Sequence, residues 1–227
     1  MANEYATFQE FIDYVYRYGE AVEETEQNAA NIERLLTVVS RALDFYLKTS
    51  FYGRNETRYY ETDDGNRLYI DDLISVTTLE TDDNLDGTHE TLWTSTDYVL
   101  HPVNARAAYD ALAPESEALC KPYRRIEVDL NGDNSFPVNE QRAIKIVRVF
   151  GYCDGMDDEG DPEYVPEAIK EATLMIVYRL WKRPSAPFGI SGNAAITVQN
   201  IARSIQTDKD IQFLLSSVSE RATYYLQ

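Results

Sequence analysis

The stretch VPEAIKEATLMIVYRLWKRP, residues 165–184, decides the fold because it is a strong helix pattern that returns after a long β-type region. Pro166 suits a first helical position, where its missing N–H is not needed. The basic pair at 182–183 suits the negative end of the helix dipole, and Pro184 would stop the helix there. The LMIV run at 174–177 puts apolar side chains on nearly every face, so we expect burial by other helices or by a neighbouring subunit.

Two further helices are predicted before the β-type region. Apolar residues recur at helical spacing between residues 7 and 18, and Gly19 lies where such a helix would end. The same periodicity continues from Ile32 onward, which predicts a long helix that ends near Phe51 and Gly53. Both helices need a partner face, so they are expected to pack with other helical segments.

The middle of the chain changes to β-type patterns. The turn signal DDGN lies between RYYET and LYIDD, so residues 59–71 are predicted to form a hairpin. Residues 105–113 have a weak helical pattern. Further strands are predicted at 74–80, 97–102, 124–130 and 142–152.

The patterns therefore follow the order α, β, α, with a last helix predicted in DIQFLLSSVSERATYYL, residues 210–226. Because the β region lies between helical segments that need each other, we expect an α+β fold in which a mainly antiparallel β region is inserted into a helical bundle. The expected divisions are N-terminal helices of the bundle at 1–53, a β-rich insertion at 54–153, and an acidic loop, core helix and C-terminal helical tail at 154–227.

Charge and composition exclude several classes of protein. Acidic side chains number 39 against 21 basic ones, a net charge of −18, which argues against a surface that grips nucleic acid through phosphates. Cys120 and Cys153 make no disulfide framework, and no secretory signal is present, so synthesis in a reducing cytoplasm is expected. No apolar stretch is long enough to cross a membrane.

Seventeen tyrosines suit surfaces that become buried on association, since the ring is apolar and the hydroxyl keeps a partner. Tyrosines that simply fill strands and core are an equally good explanation. The composition alone leaves both explanations open.

The segment DLNGDNSFPVNE, residues 129–140, has the spacing of a calcium loop. Asp129, Asn131, Asp133 and Glu140 occupy ligand positions, whereas position six holds Asn134 rather than glycine. The flanks are predicted strands instead of helices, and Asn-Gly between two apolar runs also signals a hairpin. We therefore expect a polar hairpin loop and no metal, and we keep a calcium- or ligand-binding module built on this loop as the alternative.

Catalytic motifs are lacking. His89 and His101 are the only histidines, and there is no G-x-S-x-G elbow, G-x-G-x-x-G fingerprint or P-loop. Asp154, Asp157 and Asp158 in the acidic loop 154–163 would suit metal-assisted chemistry, but a solvated charge run is the better explanation. We expect neither enzyme activity nor a cofactor.

Several stretches together resemble the head-to-tail connector, or adaptor, proteins of tailed bacteriophages. They are a T-x-x-Y-x-x-x-x-G segment with a following L-x-I at 57–70, a DYVLHP strand at 97–102, the strand end FGY at 150–152, and VPEAIKEA at 165–172. The likeness spans roughly residues 30–185. The long acidic loop and the tail beyond Pro184 depart from the family pattern.

The resemblance implies a helical bundle of connector type and a structural role in the virion neck, after synthesis in the host cytoplasm. Such proteins form a homo-oligomeric ring, commonly a dodecamer, which joins the portal protein to the tail or a second neck protein. An acidic channel would let DNA pass without sequence-specific binding. The tail at 187–227 is expected to order against the portal or a neighbouring subunit. The residues expected at the subunit or portal interface are Leu174, Met175, Ile176, Val177, Trp181, Phe188, Ile211, Phe213, Leu214 and Tyr224.

Overall fold

The computed structural model describes residues 3–23, 25–103, 122–129, 132, 134–152, 165–182, 198–216 and 218. The chain forms two units: a helical unit made by Met1–Phe51 with Gly155–Gln227, and a β unit made by Tyr52–Asp154. The described residues contain five helices and a six-stranded sheet, so the fold is α+β, as expected. The three divisions predicted from the sequence, and the connector-type bundle, stay predictions.

The helices of the helical unit are α1 (Phe8–Arg17), α2 (Glu26–Leu47), α3 (Glu167–Lys182), α4 (Val198–Thr207) and α5 (Lys209–Ser216). The first three were predicted from apolar periodicity, and α5 lies within the predicted last helix. α4 lies within the predicted C-terminal helical tail, but the sequence did not mark it as a separate helix. The pattern at 105–113 lies outside the described residues.

Polar side chains cap the first two helices. The Thr7 hydroxyl accepts the Glu10 N–H at 3.1 Å, and the Glu10 carboxylate accepts the Thr7 N–H at 2.7 Å, which is a capping box. Thr25 caps α2 by accepting the Asn28 N–H. Lys48, which is left-handed with φ 58°, ends α2. The side-chain caps satisfy N–H groups that the helices cannot bond internally.

The core of the helical unit joins all five helices. Helix α2 packs against α3 and α4, and α3 also packs against α1 and α5. Each helix contributes apolar side chains that are at most 3% exposed, among them Phe11, Val15, Ile32, Val39, Leu43, Ile169, Val177, Ile201, Ile205, Ile211 and Leu215. Burial of one such side chain stabilises the fold by about 1.5–3 kcal/mol.

The β unit contains β1 (Arg54–Tyr60), β2 (Arg67–Thr81), β3 (Thr91–Trp93), β4 (Tyr98–His101), β5 (Tyr123–Val128) and β6 (Ile144–Phe150). The strand order is β1-β6-β2-β5-β4, and β3 pairs with β2. Every ladder between these strands is antiparallel, which confirms the mainly antiparallel prediction.

The predicted hairpin at 59–71 is wrong. β6 lies between β1 and β2, so these two strands do not pair with each other. The turn signal is real, since Asp64 bridges Arg67 locally, but the pairing partner of β1 arrives about 90 residues later in the chain. Local turn chemistry cannot reveal such a long-range insertion.

The segment 129–140 is not a hairpin loop either. The strands on either side of it, β5 and β6, pair with opposite edges of β2 and not with each other. Its residues 136–138 lie beside the connection between β1 and β2: the Phe136 N–H donates to the Gly65 carbonyl at 2.8 Å, and Val138 bridges Thr62. Phe136 is 2% exposed and stacks on Trp93 with ring centroids 4.6 Å apart.

Candidate interaction surfaces

Aromatic side chains from α1 and α3 meet in the helical unit. We call Tyr14, Tyr18, Tyr178 and Trp181 the tyrosine cluster. The rings of Tyr18 and Tyr178 stack with centroids 5.5 Å apart, and Tyr14 meets Tyr178 edge-on at 5.9 Å. Residues four apart share a helix face, which brings Tyr14 and Tyr18 together on one side. Each well-oriented aromatic pair adds about 0.5–1.5 kcal/mol beyond area burial.

Polar and charged groups rim the tyrosine cluster. The Tyr178 hydroxyl donates to Glu20 at 3.3 Å, and Glu20 also pairs with Lys182. The Lys182 ammonium lies 5.0 Å from the ring centroid of Trp181. Burial, followed by the hydrogen bond with Tyr18, holds the pKa of Tyr14 well above its ordinary value. An apolar surface with hydroxyl and charged groups at its edge is typical of protein contact surfaces.

The cluster reaches the surface of the helical unit. Tyr14 is only 2% exposed, whereas Tyr18 is 59% exposed although it stacks on Tyr178. Tyr16 on the same helix is 77% exposed. Apolar rings that remain accessible next to a packed cluster offer area that a protein partner can bury.

The ten residues predicted at the interface differ in their exposure to solvent. Leu174, Ile176, Val177 and Ile211 are buried inside the helical unit. Met175, Trp181 and Leu214 are half-buried, Phe213 is 79% exposed, and Phe188 and Tyr224 lie outside the described residues. Their role at an interface stays a prediction. The exposed Tyr16 on α1 and Tyr18 just after it were not singled out, although both are visible in the sequence.

A charged network lies on β1 in the β unit. Arg58 donates to Glu56 at 2.7 Å and to Asp71 at 2.9 Å, and Arg54 pairs with Glu56 at 3.3 Å. The Arg58 guanidinium also lies 4.3 Å from the ring centroid of Phe150 on the paired strand β6. The ladder places Arg58 opposite Ile146, so this network lies beside the sheet core.

The loop between β2 and β3 carries a second calcium-like pattern, D-x-N-x-D-G at 82–87. Carboxylate oxygens of Asp82, Asp86 and Glu90 lie within 4.8 Å of one another. However, Asp82 already accepts the N–H groups of Leu85 and Gly87, and the twelfth position is Trp93 rather than a bidentate glutamate. Both oxygens of the Asp82 carboxylate are therefore used to hold the backbone of the turn.

The predicted alternative site at 129–140 lies only partly within the described residues. Asp129 and Glu140 are described, whereas Asn131 and Asp133 are not. Strands β5 and β6 flank this segment. An EF-hand loop instead requires a helix on each side.

A cavity of about 300 Å³ opens beside the Trp93–Phe136 stack. Its lining has no histidine, cysteine or lysine and consists of Thr81, Asp83, Thr91, Trp93, Asn134, Ser135, Phe136 and Pro137. The two histidines are engaged elsewhere: His101 lies 3.1 Å from Glu127, and His89 lies 3.0 Å from the Arg142 carbonyl. The lining does hold hydroxyl groups and one carboxylate, and the Thr91 hydroxyl donates to Asp83 at 2.6 Å, but no histidine or lysine of the lining lies beside them to act as a catalytic base.

No family model matches the sequence, and no curated protein matches it. Among solved structures, the chain is similar to a chain in the neck of a native GTA particle computed with C12 symmetry, with a TM-score of 0.46 and 12% identity over 86% of this chain and 85% of that one. At this level of similarity the likeness establishes neither a shared fold nor a shared function. In the part of the chain that the structure describes, no helix has the length and apolarity needed to cross a membrane.

Proposed function

We propose that this chain is a non-enzymatic structural protein of the neck of a tailed-phage-type particle. In this proposal, copies form a ring that links the portal vertex to the tail or to the next neck protein. The ring leaves a channel through which DNA passes. A ring requires a head-to-tail contact between unlike surfaces of neighbouring copies.

The observation that carries the proposal is the tyrosine cluster. Tyr18 remains 59% exposed while it stacks on Tyr178. Glu20 and Lys182 supply polar groups at the rim. Accessible apolar rings with polar and charged groups at their edge are typical of protein contact surfaces.

The sequence resemblance to connector proteins supports the same proposal. The stretches that carry the resemblance contribute buried residues to the core of each unit. In the stretch VPEAIKEA at 165–172, three side chains of the helical unit are 0% exposed: Val165, Ile169 and Ala172. In FGY at the end of β6, Phe150 is 1% exposed. These stretches therefore carry packing residues, as expected for a family defined by architecture rather than by catalysis.

The net charge of −18 supports the proposed channel. An acidic wall repels phosphates, so DNA would slide past it instead of binding. We expect no retention of duplex DNA by the purified protein on a filter, even at low salt. Tight, salt-sensitive DNA binding would contradict the channel proposal.

The direct test is to add the purified protein to portal-bearing capsids and image the vertex by electron microscopy. Annular density beneath the portal is expected. Replacing Tyr18 and Tyr178 by serine should abolish this density, whereas Tyr69→Ser serves as the matched control, since Tyr69 is 66% exposed but lies on β2. Vertices that stay bare with the unaltered protein would overturn the proposal.

A further inference from the structure

β1 is a long and regular edge strand. Its ladder with β6 runs through all seven residues, from Arg54↔Phe150 to Tyr60↔Ile144, without a register shift. On its other side the strand order ends, so no strand of the described residues covers that edge. An uncovered edge presents a row of backbone N–H and C=O groups that can pair with another strand.

The opposite edge of the sheet is protected in ways that β1 is not. β4 has four residues, and its last residue, His101, precedes Pro102. Short edge strands and nearby prolines limit pairing with other chains. β1 has seven residues, RNETRYY, with no proline, glycine or lysine. The edge that is open to strand addition is therefore β1.

Two copies of β1 have complementary charges when they run antiparallel with Thr57 at the centre of the pair. If two copies pair antiparallel with Thr57 opposite Thr57, Glu56 of each copy faces Arg58 of the other. Arg58 and Glu56 already share one face of the sheet, since they pair at 2.7 Å within the chain. Registers centred on Glu56 or on Arg58 would place identical charges opposite each other, which is destabilising.

The remaining positions fit the same register. Arg54 comes opposite Tyr60, which places a cation beside an aromatic ring. Asn55 comes opposite Tyr59, and both side chains are exposed in the single chain. All seven residues of β1 would therefore find an opposing residue without a clash of like charges.

We propose that β1 pairs with β1 of a second copy of this chain, through a two-fold axis at Thr57. A two-fold contact uses the same patch on both copies and closes on itself, so it joins two copies and cannot extend a ring. It therefore belongs to the free protein before assembly, and it does not rest on the proposed function. The pairing covers the long edge that the described strands leave open to uncontrolled strand addition.

Engineered cysteines test the register. Directly opposed residues of an antiparallel pair have Cα atoms about 4.5–5.5 Å apart, which suits a disulfide. In a background where Cys120 and Cys153 are replaced by serine, Thr57→Cys should give a disulfide-linked dimer on mild oxidation. Asn55→Cys and Tyr59→Cys should cross-link poorly alone but efficiently when mixed, because position 55 opposes position 59.

The single variants Asn55→Cys and Tyr59→Cys are the matched controls on the same strand. The proposal is overturned if Thr57→Cys cross-links no more than Asn55→Cys, or if the mixture of the two other variants stays monomeric. Non-reducing gels and mass measurement give the readout. Because the test uses the free protein, its result is separate from the imaging of portal vertices.

A charge exchange gives a second, independent test. Glu56→Arg places two arginines opposite each other, so the dimer dissociation constant measured by sedimentation should rise about tenfold. The double variant Glu56→Arg with Arg58→Glu exchanges the charges and should restore the affinity of the unaltered protein. Thermal unfolding of each variant checks that the β unit remains folded. A monomeric unaltered protein at the highest soluble concentration would also overturn the proposal.

Discussion

Gly151 approaches Tyr52 so closely that a Cβ atom on Gly151 would lie 2.4 Å from the Tyr52 carbonyl oxygen. The Gly151 backbone has φ +155°, and its N–H donates to the Asp72 carbonyl at 2.9 Å. The glycine in the FGY stretch is therefore a requirement of close backbone packing within the β unit.

Replacing Gly151 by alanine should destabilise the β unit by roughly 2–4 kcal/mol, because the new methyl group meets backbone that cannot rotate away. Urea unfolding followed by the fluorescence of Trp93, in a Trp181→Phe background, measures this loss. Gly87→Ala is the control: its φ is +91° but nothing lies within 4 Å, so only backbone strain of roughly 1–2 kcal/mol is expected. Equal losses in the two variants would refute the steric explanation.

Replacing Tyr5 by phenylalanine should destabilise the helical unit. The Tyr5 hydroxyl donates to Asp44 and accepts the buried Phe51 N–H at 2.9 Å, which ties the N-terminal segment to the end of α2. Loss of this hydroxyl should cost about 1–3 kcal/mol. Urea unfolding followed by Trp181 fluorescence is the measurement, and Tyr16→Phe at an exposed position should change nothing. If the urea midpoint of Tyr5→Phe equals that of the unaltered protein, the hydrogen bonds of the Tyr5 hydroxyl do not contribute to stability.

Replacing Asp82 by alanine should unfold the loop between β2 and β3. Asp82 is 5% exposed and accepts N–H groups from Leu85 at 2.7 Å and from Gly87 at 2.8 Å. Urea unfolding followed by Trp93 fluorescence should show a free energy of unfolding lower by about 2–4 kcal/mol. The decrease should be smaller in Asp82→Asn, which keeps one acceptor oxygen. Unfolding with and without EDTA should coincide. A shift of the midpoint with EDTA would instead indicate that a bound cation holds the loop.

Alkaline pH should weaken the fold through buried tyrosines. Burial, followed by the charge of Asp44, raises the pKa of Tyr5, and burial with the charge of Asp71 raises the pKa of Tyr60. Below the unfolded pKa near 10, both states keep the phenol protonated, so the stabilisation is fully present. Above about pH 10 the unfolded chain releases protons that the folded chain retains, so the free energy of unfolding falls.

The alkaline effect can be measured by urea unfolding between about pH 9 and pH 11. Tyr60→Phe should reduce the slope of stability against pH, because one group with a raised pKa is removed. Tyr69→Phe, at a position that is 66% exposed, should leave the slope unchanged. If Tyr60→Phe and the unaltered protein lose stability in parallel, Tyr60 does not contribute to the effect.

Local patterns predicted most of the helices and strands but not how the strands pair. Apolar periodicity identified α1, α2 and α3, because each buries one face or more in its own unit. The pairing of β1 with β6 depends on contacts across about 90 residues, so the turn at DDGN wrongly suggested a hairpin. β3 has three residues, too few for a period to show.

The candidate surface was predicted less well than the fold. The sequence singled out the apolar run of α3 as an interface. Leu174, Ile176 and Val177 of that run are instead buried in the core of the helical unit. The exposed rings are Tyr16 on α1 and Tyr18 just after it, whereas Tyr14 is buried. Composition indicated many tyrosines, but only packing reveals which of them stay accessible.

The ladder that joins Arg54 to Phe150 also affects the order in which the chain can fold. It holds the two ends of the β unit side by side. If the β unit folds first, the ladder bridges most of the loop of about 120 residues between α2 and α3, and about 20 residues outside the ladder remain to be closed. That shortening lowers the entropy cost of closing the loop by about 1.5 kcal/mol. The helical unit would then assemble faster after the sheet than before it, so mutations that slow formation of β1–β6 should delay both units.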